Sequence, residues 1–310
     1  MKKRRNKGWL SAIMFCSLIM FILSGCSNEH EIKTSSVAGI TPDYQISIND
    51  DGTVNVDKQA GSFYDFDKWE GIKSVVFGIV NAGGLKDDGT VIVTGYNTTG
   101  ADEVQDWRNI ENIAFTAFAT YGLNKDGTII YTGKDHQNGI TDFEKKIMSD
   151  VDTWKDIVDI KGAQLILAGI TKDGSVLVSA PSEPEMEEGV KDWRNIKDIS
   201  VSMTMILGVT WSGEVLCVYD SLTNEWSDKN VLLQYKDLKG AEKVYAGQSF
   251  VAGLMQDGTF KIRIVTPGYQ DEEDLVALDG MADIKDASNY EEYLAIMKND
   301  GSVITAGYID

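Results

Sequence analysis

The sequence predicts an all-β fold built from repeated units, and three observations support this prediction. Seven tight-turn dipeptides recur along the chain, and each is followed by a run of β-forming residues. An apolar motif that usually begins with Trp recurs out of phase with these turns. Successive turns lie 37 to 47 residues apart, which is the size of one supersecondary unit.

The tight turns predict β-hairpins. An Asp-Gly turn between two apolar runs is a strong hairpin signal, because Gly accepts a positive φ without steric cost. In five units a second Gly lies five residues before the turn Gly, which indicates a backbone that another group approaches closely. The seven dipeptides are Asp51-Gly52, Asp88-Gly89, Asp126-Gly127, Asp173-Gly174, Ser212-Gly213, Asp257-Gly258 and Asp300-Gly301.

The Trp motif places apolar residues three positions apart. This spacing could form one helical turn, but each copy runs directly into a β-like stretch, so a loop-to-strand junction fits better. We expect these large residues to fill the space between neighbouring units as core. The clear copies begin at Trp69, Trp107, Trp154 and Trp193, and weaker ones at Tyr235 and Leu278.

One hairpin cannot bury its own faces, but a circle of hairpin units can. Seven units of about 41 residues match the blades of a β-propeller. We therefore predict seven blades of four antiparallel strands over residues 32–310. The last unit stops after its third strand, so part of Glu31 to Ile40 is expected to add an outer strand to the last blade as a clasp.

The repeated pattern resembles that of the regulator of chromosome condensation family. Each unit combines Trp-x-x-Ile, a small residue before Leu, Asp-Gly-x-Val and a later Gly, over about residues 44–310. The run from Gly95 to Gly100 is similar to that family's Gly-x-Asn-x-x-Gly stretch, although Ser212 replaces Asp in the fifth hairpin. The resemblance implies a seven-bladed propeller, and similar propellers bind protein partners.

The N-terminus predicts export and lipid attachment. Five basic residues precede the apolar run Trp9 to Leu23, which is typical of a signal peptide over residues 1–25. Leu-Ser-Gly-Cys then resembles a bacterial lipobox, so Cys26 is expected to carry the lipid. A plain anchor helix is the alternative. Residues 26–31 would form a polar tether from the outer face of the cell membrane.

Composition excludes several classes of function. Without residues 1–25 the net charge falls from −19 to −24, which disfavours binding to nucleic acid. His136 is the one His outside the leader and tether, so neither a His-rich metal site nor a Ser-His-Asp apparatus is expected. No cofactor or metal is predicted. Cys217 lies among apolar strand residues, with a reactive thiol as the alternative.

Acidic residues leave one enzymatic alternative open. A carbohydrate-active surface enzyme could use two carboxylates that converge on one cleft. The hairpin Asp residues already have a role in turn formation. The runs around Glu183–Glu188 and Asp271–Asp274 are most simply solvated, with binding of a cation or basic partner as the alternative.

The leading hypothesis is an anchored binding or scaffold protein that recognises a protein or cell-wall polymer. A monomer is expected, and export excludes a cytoplasmic GTPase as its partner. Recognition normally lies in variable loops on a rigid scaffold. Here these are the connections that follow each third strand, within 96–106, 134–150, 181–191, 220–232 and 266–276. The candidate binding residues are Tyr96, Asn97, His136, Phe143, Trp226 and Tyr269.

Overall fold

The computed structural model describes residues 40–41, 44–48, 52–58, 65–66, 69–96, 99–133, 139–266 and 272–307. These residues belong to one compact unit of the chain, 34–310. Their 21 strands pair in chain order into seven three-stranded antiparallel sheets, in which the second strand lies between the first and third. The predicted all-β repeat is therefore confirmed.

The sheets are numbered 1 to 7 along the chain. Their strands are β1–β3 (Ile40–Thr41, Tyr44–Ile48, Val54–Lys58), β4–β6 (Ile72–Phe77, Asn81–Lys86, Val91–Gly95), β7–β9 (Ile110–Phe115, Thr120–Asn124, Ile129–Tyr131), β10–β12 (Ile157–Ala163, Ile166–Thr171, Val176–Ser179), β13–β15 (Ile196–Val201, Met205–Thr210, Val215–Tyr219), β16–β18 (Ala241–Ala246, Phe250–Met255, Phe260–Ile264) and β19–β21 (Ile284–Tyr290, Tyr293–Lys298, Val303–Ala306).

The prediction of a fourth strand in each unit is wrong for the described connections. After β9, β12, β15 and β18 the chain forms helices, which bury apolar residues such as Ile147 and Met186 against the sheets. Helix-capping residues explain the difference, since Thr141 Oγ1 accepts a hydrogen bond from Glu144 N. The helices are α1 (Asp142–Val151), α2 (Pro184–Val190), α3 (Ser221–Trp226), α4 (Lys229–Leu232), a 3-10 helix (Leu233–Leu238) and α5 (Glu272–Val276).

The seven predicted turns share one backbone conformation. Every turn glycine has a φ between 76° and 85°. In the second sheet Gly89 N donates to Lys86 O at 3.0 Å, and Asp88 Oδ1 accepts from Thr90 N at 2.9 Å. Hydrogen bonds from Thr90 hold the pKa of the Asp88 carboxyl below its ordinary value. The hairpin Asp thus acts in turn formation, as predicted.

Each turn also bonds to the next sheet. The carbonyl of Gly89 accepts a hydrogen bond from Ile110 N at 3.0 Å, and six junctions in all have such a bond, with N···O distances of 2.7–3.1 Å. At five of them the donor is the first residue of the strand, and at the junction to sheet 6 it is Gly240, one residue earlier. The residue just before each first strand from β4 onward has a positive φ, which Asn, Asp and Gly tolerate best. These residues are Gly71, Asn109, Asp156, Asn195, Gly240 and Asp283.

A β-bulge near the start of six first strands explains the odd spacing of the Trp motif. In β7 the pairing with β8 shifts between Ile110 and Asn112. The extra residue brings Ile110 and Ile113 into the same buried cluster although they are three positions apart. The Trp stretch is therefore a loop-to-strand junction and not a helix, as predicted.

The second Gly of the repeat contacts the Trp of its own unit in four of the units. A Cβ on Gly122 would lie 2.6 Å from Trp107 Cζ3, and Gly84, Gly169 and Gly208 face Trp69, Trp154 and Trp193 in the same way. In the sixth unit Leu238, and not Tyr235, stands three residues before the first strand where the Trp lies in the other units, and a Cβ on Gly253 would meet Ala241 Cβ at 3.1 Å and Leu238 Cβ at 3.7 Å. The predicted close approach to this backbone is confirmed.

The core lies between consecutive sheets. Six apolar clusters in the described part of the chain each combine side chains from two successive sheets. One contains Leu85 and Val91 of sheet 2 with Trp107 of sheet 3. Neighbouring units therefore bury each other, as expected for a repeat of this kind.

Of the segment predicted to form the clasp, only Ile40 is described, and it pairs with Gln45 of β2 inside sheet 1, so the clasp stays a prediction. Residues 31–39 lie outside the described residues. Strand β1 also contacts β19 and β20 of sheet 7.

None of the helices in the described ranges is long and apolar enough to span a bilayer.

We predict that Gly122→Ala lowers the free energy of unfolding by about 1–3 kcal/mol, because the new methyl group overlaps the Trp107 ring. Gly253→Ala is the matched control and should cost less, since its nearest contact is 3.1 Å. Urea unfolding of residues 27–310 measures both. The Gly122→Ala penalty should shrink in a Trp107→Leu background. An equal penalty with and without Trp107 would contradict this account.

Candidate functional site

The turns that join the first and second strands of each sheet are called the inner turns. They lie at one end of the strands, and the surface that they form is called the inner-turn face. The third strands end on the same face, because Tyr96 N donates to Val80 O at 2.9 Å and Asp220 N donates to Thr204 O at 2.8 Å. The described inner turns are 78–80, 116–119, 164–165, 202–204, 247–249 and 291–292.

Neighbouring inner turns touch one another. Ala117 N donates to Gln164 O at 2.6 Å, and Thr204 Oγ1 donates to Gln248 O at 3.2 Å. Ser249 Oγ donates to a carboxylate oxygen of Glu292. These hydrogen bonds join the inner turn 116–119 to 164–165, and 202–204 through 247–249 to 291–292, so five of the six described inner turns are tied to a neighbour.

Four large apolar side chains on or beside this face are exposed and are called the apolar patch. The exposed fractions are 38% for Ile79, 39% for Val80, 62% for Tyr96 and 47% for Phe143. Ile79 and Val80 form an inner turn, and the backbone of Tyr96 bonds to Val80. Exposed apolar residues that cluster on a rigid scaffold are typical of a binding surface.

Tyr96 and Phe143 lie on either side of the same inner turn. Thr99, three residues after Tyr96, donates to Phe118 O at 2.6 Å, and Glu144, next to Phe143, accepts from Thr116 Oγ1 at 2.7 Å. Tyr96 and Phe143 therefore belong to the two chain segments that flank this turn, and both stay predictions as binding residues.

The other predicted site residues stay predictions. Cys26, Asn97, His136 and Tyr269 lie outside the described residues. Trp226 ends α3, but its side chain also lies outside the described part.

Two acidic residues in the last inner turn were missed by the sequence analysis. Burial raises the pKa of both Glu291 and Glu292, although hydrogen bonds from Ser249 and Gln248 act in the opposite direction on Glu292. The Glu292 Oε1 atom is buried without a hydrogen-bond partner. Glu291 also has a φ of 49°, which is unusual for a residue with a side chain.

Polar side chains join the first strands of neighbouring sheets. The bulges turn the third residue of each strand away from the apolar clusters, so Asn112, Asp159, Asp198, Lys243 and Asp286 occupy equivalent positions. Asn112 Nδ2 donates to Asp159, Val244 N donates to Asp198 Oδ2 at 2.9 Å, and Lys243 Nζ lies 2.8 Å from Asp286 Oδ1. We call this set, together with Lys161, the polar girdle.

Charged groups in the polar girdle shift one another's pKa values. Burial raises the pKa of Asp198 to about 6, although Lys161 and the bond from Val244 N act to lower it. Burial acts to lower the pKa of Lys161, but the nearby carboxylates, Asp159 foremost, outweigh it and the net shift is upward. Lys161 Nζ lies 3.5 Å from Asp159 Oδ2. Each of these groups therefore already has a charged or hydrogen-bonding partner in the fold.

Glu144 fixes α1 to the third sheet. Its side chain is fully buried, and its Oε1 accepts hydrogen bonds from Thr116 Oγ1 and Tyr121 OH. Burial raises the pKa of this carboxyl. Glu144 therefore links α1 to the inner turn 116–119. The sequence did not predict this hydrogen bond.

Cys217 has the character of a strand residue. It lies half-buried in β15, where burial raises the pKa of the thiol to about 12. A thiol that stays protonated at neutral pH is a poor nucleophile. The structural interpretation of Cys217 is therefore preferred over the reactive one.

No protein-family model and no curated protein matches this chain. Several solved structures are similar. The CRINKLY WD40 ectodomain of the Arabidopsis thaliana receptor kinase ACR4 is 13% identical, with a TM-score of 0.63 over 88% of this chain and 94% of that chain. The ectodomain of the Physcomitrella patens receptor kinase CR4 is 11% identical, with a TM-score of 0.57 over 86% and 71%.

Prp20p of Saccharomyces cerevisiae is 13% identical, with a TM-score of 0.50 over 71% of this chain and 69% of that chain. That structure was determined together with its binding properties to Gsp1p and histones. Identities this low show the fold alone. They confirm a β-propeller fold like that of WD40 proteins and of the regulator of chromosome condensation family.

We predict that Asp198→Asn changes how stability depends on pH. Because the folded-state pKa is raised to about 6, the native protein holds this proton more tightly than the unfolded chain does. Its contribution is therefore full below about pH 4 and is lost as pH rises through 6. Wild type should lose on the order of 2 kcal/mol relative to Asp198→Asn between pH 4 and pH 7. Urea unfolding across this range tests it, and a constant difference would contradict it.

Proposed function

We propose that this chain is a lipid-anchored protein on the outer face of a bacterial membrane, whose propeller binds a protein or cell-wall polymer through its inner-turn face. The observation that carries the binding role is the exposed apolar patch of Ile79, Val80, Tyr96 and Phe143. The proposed location at the membrane rests on the signal-peptide pattern of residues 1–25 and on Cys26.

The propeller is proposed to be a closed circle of seven blades. Seven successive sheets and the contact of β1 with β19 and β20 support this arrangement. Sheet 7 also presents a small apolar cluster around Tyr293 and Ala295, which would be covered by the first blade. Closure would remove the exposed edges of the repeat and stiffen the inner-turn face.

Binding is favoured because the patch lies where chain segments from different units meet. Apolar and aromatic anchors on such a surface supply most of the free energy in protein interfaces. Among the carboxylates whose raised pKa could suggest catalysis, Asp198, Glu144 and Glu292 are already bonded to neighbouring groups of the fold. Their structural contacts explain them without a reaction.

The comparisons are compatible with a partner-binding role outside the cell. Two of the similar structures are receptor-kinase ectodomains, and the third protein binds Gsp1p and histones. The acidic chain would meet neither nucleic acid nor a cytoplasmic GTPase in the proposed location. We therefore propose an extracytoplasmic scaffold, expected to act as a monomer.

Lipid attachment can be tested by growing an expressing bacterium with an alkyne analogue of palmitate. We expect label on the wild-type protein and none on Cys26→Ser, because only Cys26 becomes the N-terminus after cleavage. Cys217→Ser is the matched control and should keep the label and the membrane fraction. Unlabelled wild type, or label that persists in Cys26→Ser, would refute the anchor.

The binding face can be tested with residues 27–310 and the wall fragments and secreted proteins of the source bacterium. The double variant Ile79→Ser/Tyr96→Ser should weaken capture about tenfold or more, because it removes two apolar anchors. The control Trp211→Ser removes a large exposed side chain beside the turn glycine Gly213, at the strand ends opposite the inner turns, with an exposed fraction of 45%. Equal capture by all three proteins would contradict the assignment of this face.

A further inference from the structure

We propose that the partner is a protein segment that carries a Lys or Arg flanked by apolar residues. In this arrangement the basic group binds Glu291 and Glu292, and the apolar side chains cover Ile79, Val80 and Tyr96. The inference rests on the proposed function and names the chemistry of its partner.

The two acidic residues border the apolar patch. The rings of Tyr290 and Phe77 lie 6.5 Å apart between their centroids. Tyr290 comes directly before Glu291, and Phe77 comes two residues before Ile79. Tyr290 also packs against the cluster that contains Phe77. The first strands of sheets 7 and 2 therefore end close together, and one extended segment could contact the inner turns 291–292 and 78–80 that follow them.

The acidic pair has no cation of its own among the described residues, where no ion pair includes Glu291 or Glu292. Glu292 Oε2 accepts from Ser249 Oγ, while its Oε1 is buried without a hydrogen-bond partner. A buried carboxylate is costly unless it is paired. The Glu291 side chain is half-buried, so a guanidinium or ammonium group from a partner can reach its carboxylate and pair with the acidic turn, and Arg could do so with two parallel hydrogen bonds.

The charge of the whole chain supports a basic partner. The chain has a net charge of −19, and the portion after residue 25 carries −24. Such a surface attracts a cationic segment over a distance and repels an acidic one. Apolar contacts with the patch would supply affinity, and the acidic pair would select for charge and orientation.

The test uses random dodecapeptides displayed on phage and selected on immobilised residues 27–310. We expect enriched peptides to contain Lys or Arg next to aromatic or aliphatic residues. The best peptide, made synthetically, is then titrated by fluorescence anisotropy against wild type and Glu291→Gln/Glu292→Gln. The double variant should bind about tenfold more weakly or worse. The wild-type affinity should also fall with added salt.

The matched control is Glu70→Gln/Glu111→Gln, which makes the same charge change at two exposed residues near the starts of β4 and β7, the strand ends opposite the inner turns. It should bind the peptide within about twofold of wild type, since distant surface charges are screened. Urea unfolding of all three proteins shows whether the variants remain folded. An equal loss in the control would mean that overall charge, and not this site, attracts the peptide, and would overturn the inference.

Other outcomes separate this inference from the proposed function. Peptides that lose affinity with Ile79→Ser/Tyr96→Ser but not with Glu291→Gln/Glu292→Gln would overturn the basic-partner inference and leave the binding face standing. Capture of wall fragments with no peptide selected would also overturn the basic-partner inference and leave the binding face standing. Peptide binding that is indifferent to both double variants would count against the binding face itself.

Discussion

The structure depends on one repeated backbone hydrogen bond, which joins the start of each sheet from the second onward to the turn glycine of the sheet before it. Two conditions accompany this bond: the turn glycine has a positive φ, and so does the residue just before the first strand. Glycine meets the first condition, and Asn, Asp or Gly meets the second. The spacing between sheets is thereby set by the backbone, and the apolar clusters fill the interval that it defines.

Much of the fold could be predicted because its signals are local. The Asp-Gly turns, the buried Trp residues and the second Gly each report on contacts within one unit, such as Trp107 on Gly122. A Gly, Asn or Asp with a positive φ precedes each first strand from sheet 2 onward. This residue recurs in the sequence, but such residues are common in loops, so it was not predicted as part of the repeat. The helices were missed because a fourth strand was assumed where Thr141 in fact caps a helix.

The candidate site was less predictable, since it depends on which turns meet in space. Tyr96 and Phe143 were predicted as binding residues because they lie in variable connections, and both are exposed in the structure. Ile79, Val80, Glu291 and Glu292 belong to short turns that carry no repeat signal. Nothing in the sequence places residue 291 beside residue 79, because that neighbourhood joins the last sheet to the second one through Tyr290 and Phe77.

The helical connections have an evolutionary consequence. Repeat length varies by ten residues along the chain, while the strands and turns keep their form. Length changes are therefore absorbed after the third strand, beside the inner turns. Insertions there can alter what the protein recognises without disturbing the hydrogen bonds between sheets. Selection on affinity and selection on folding would then act on separate parts of the gene, and divergence of sequence could outpace divergence of architecture.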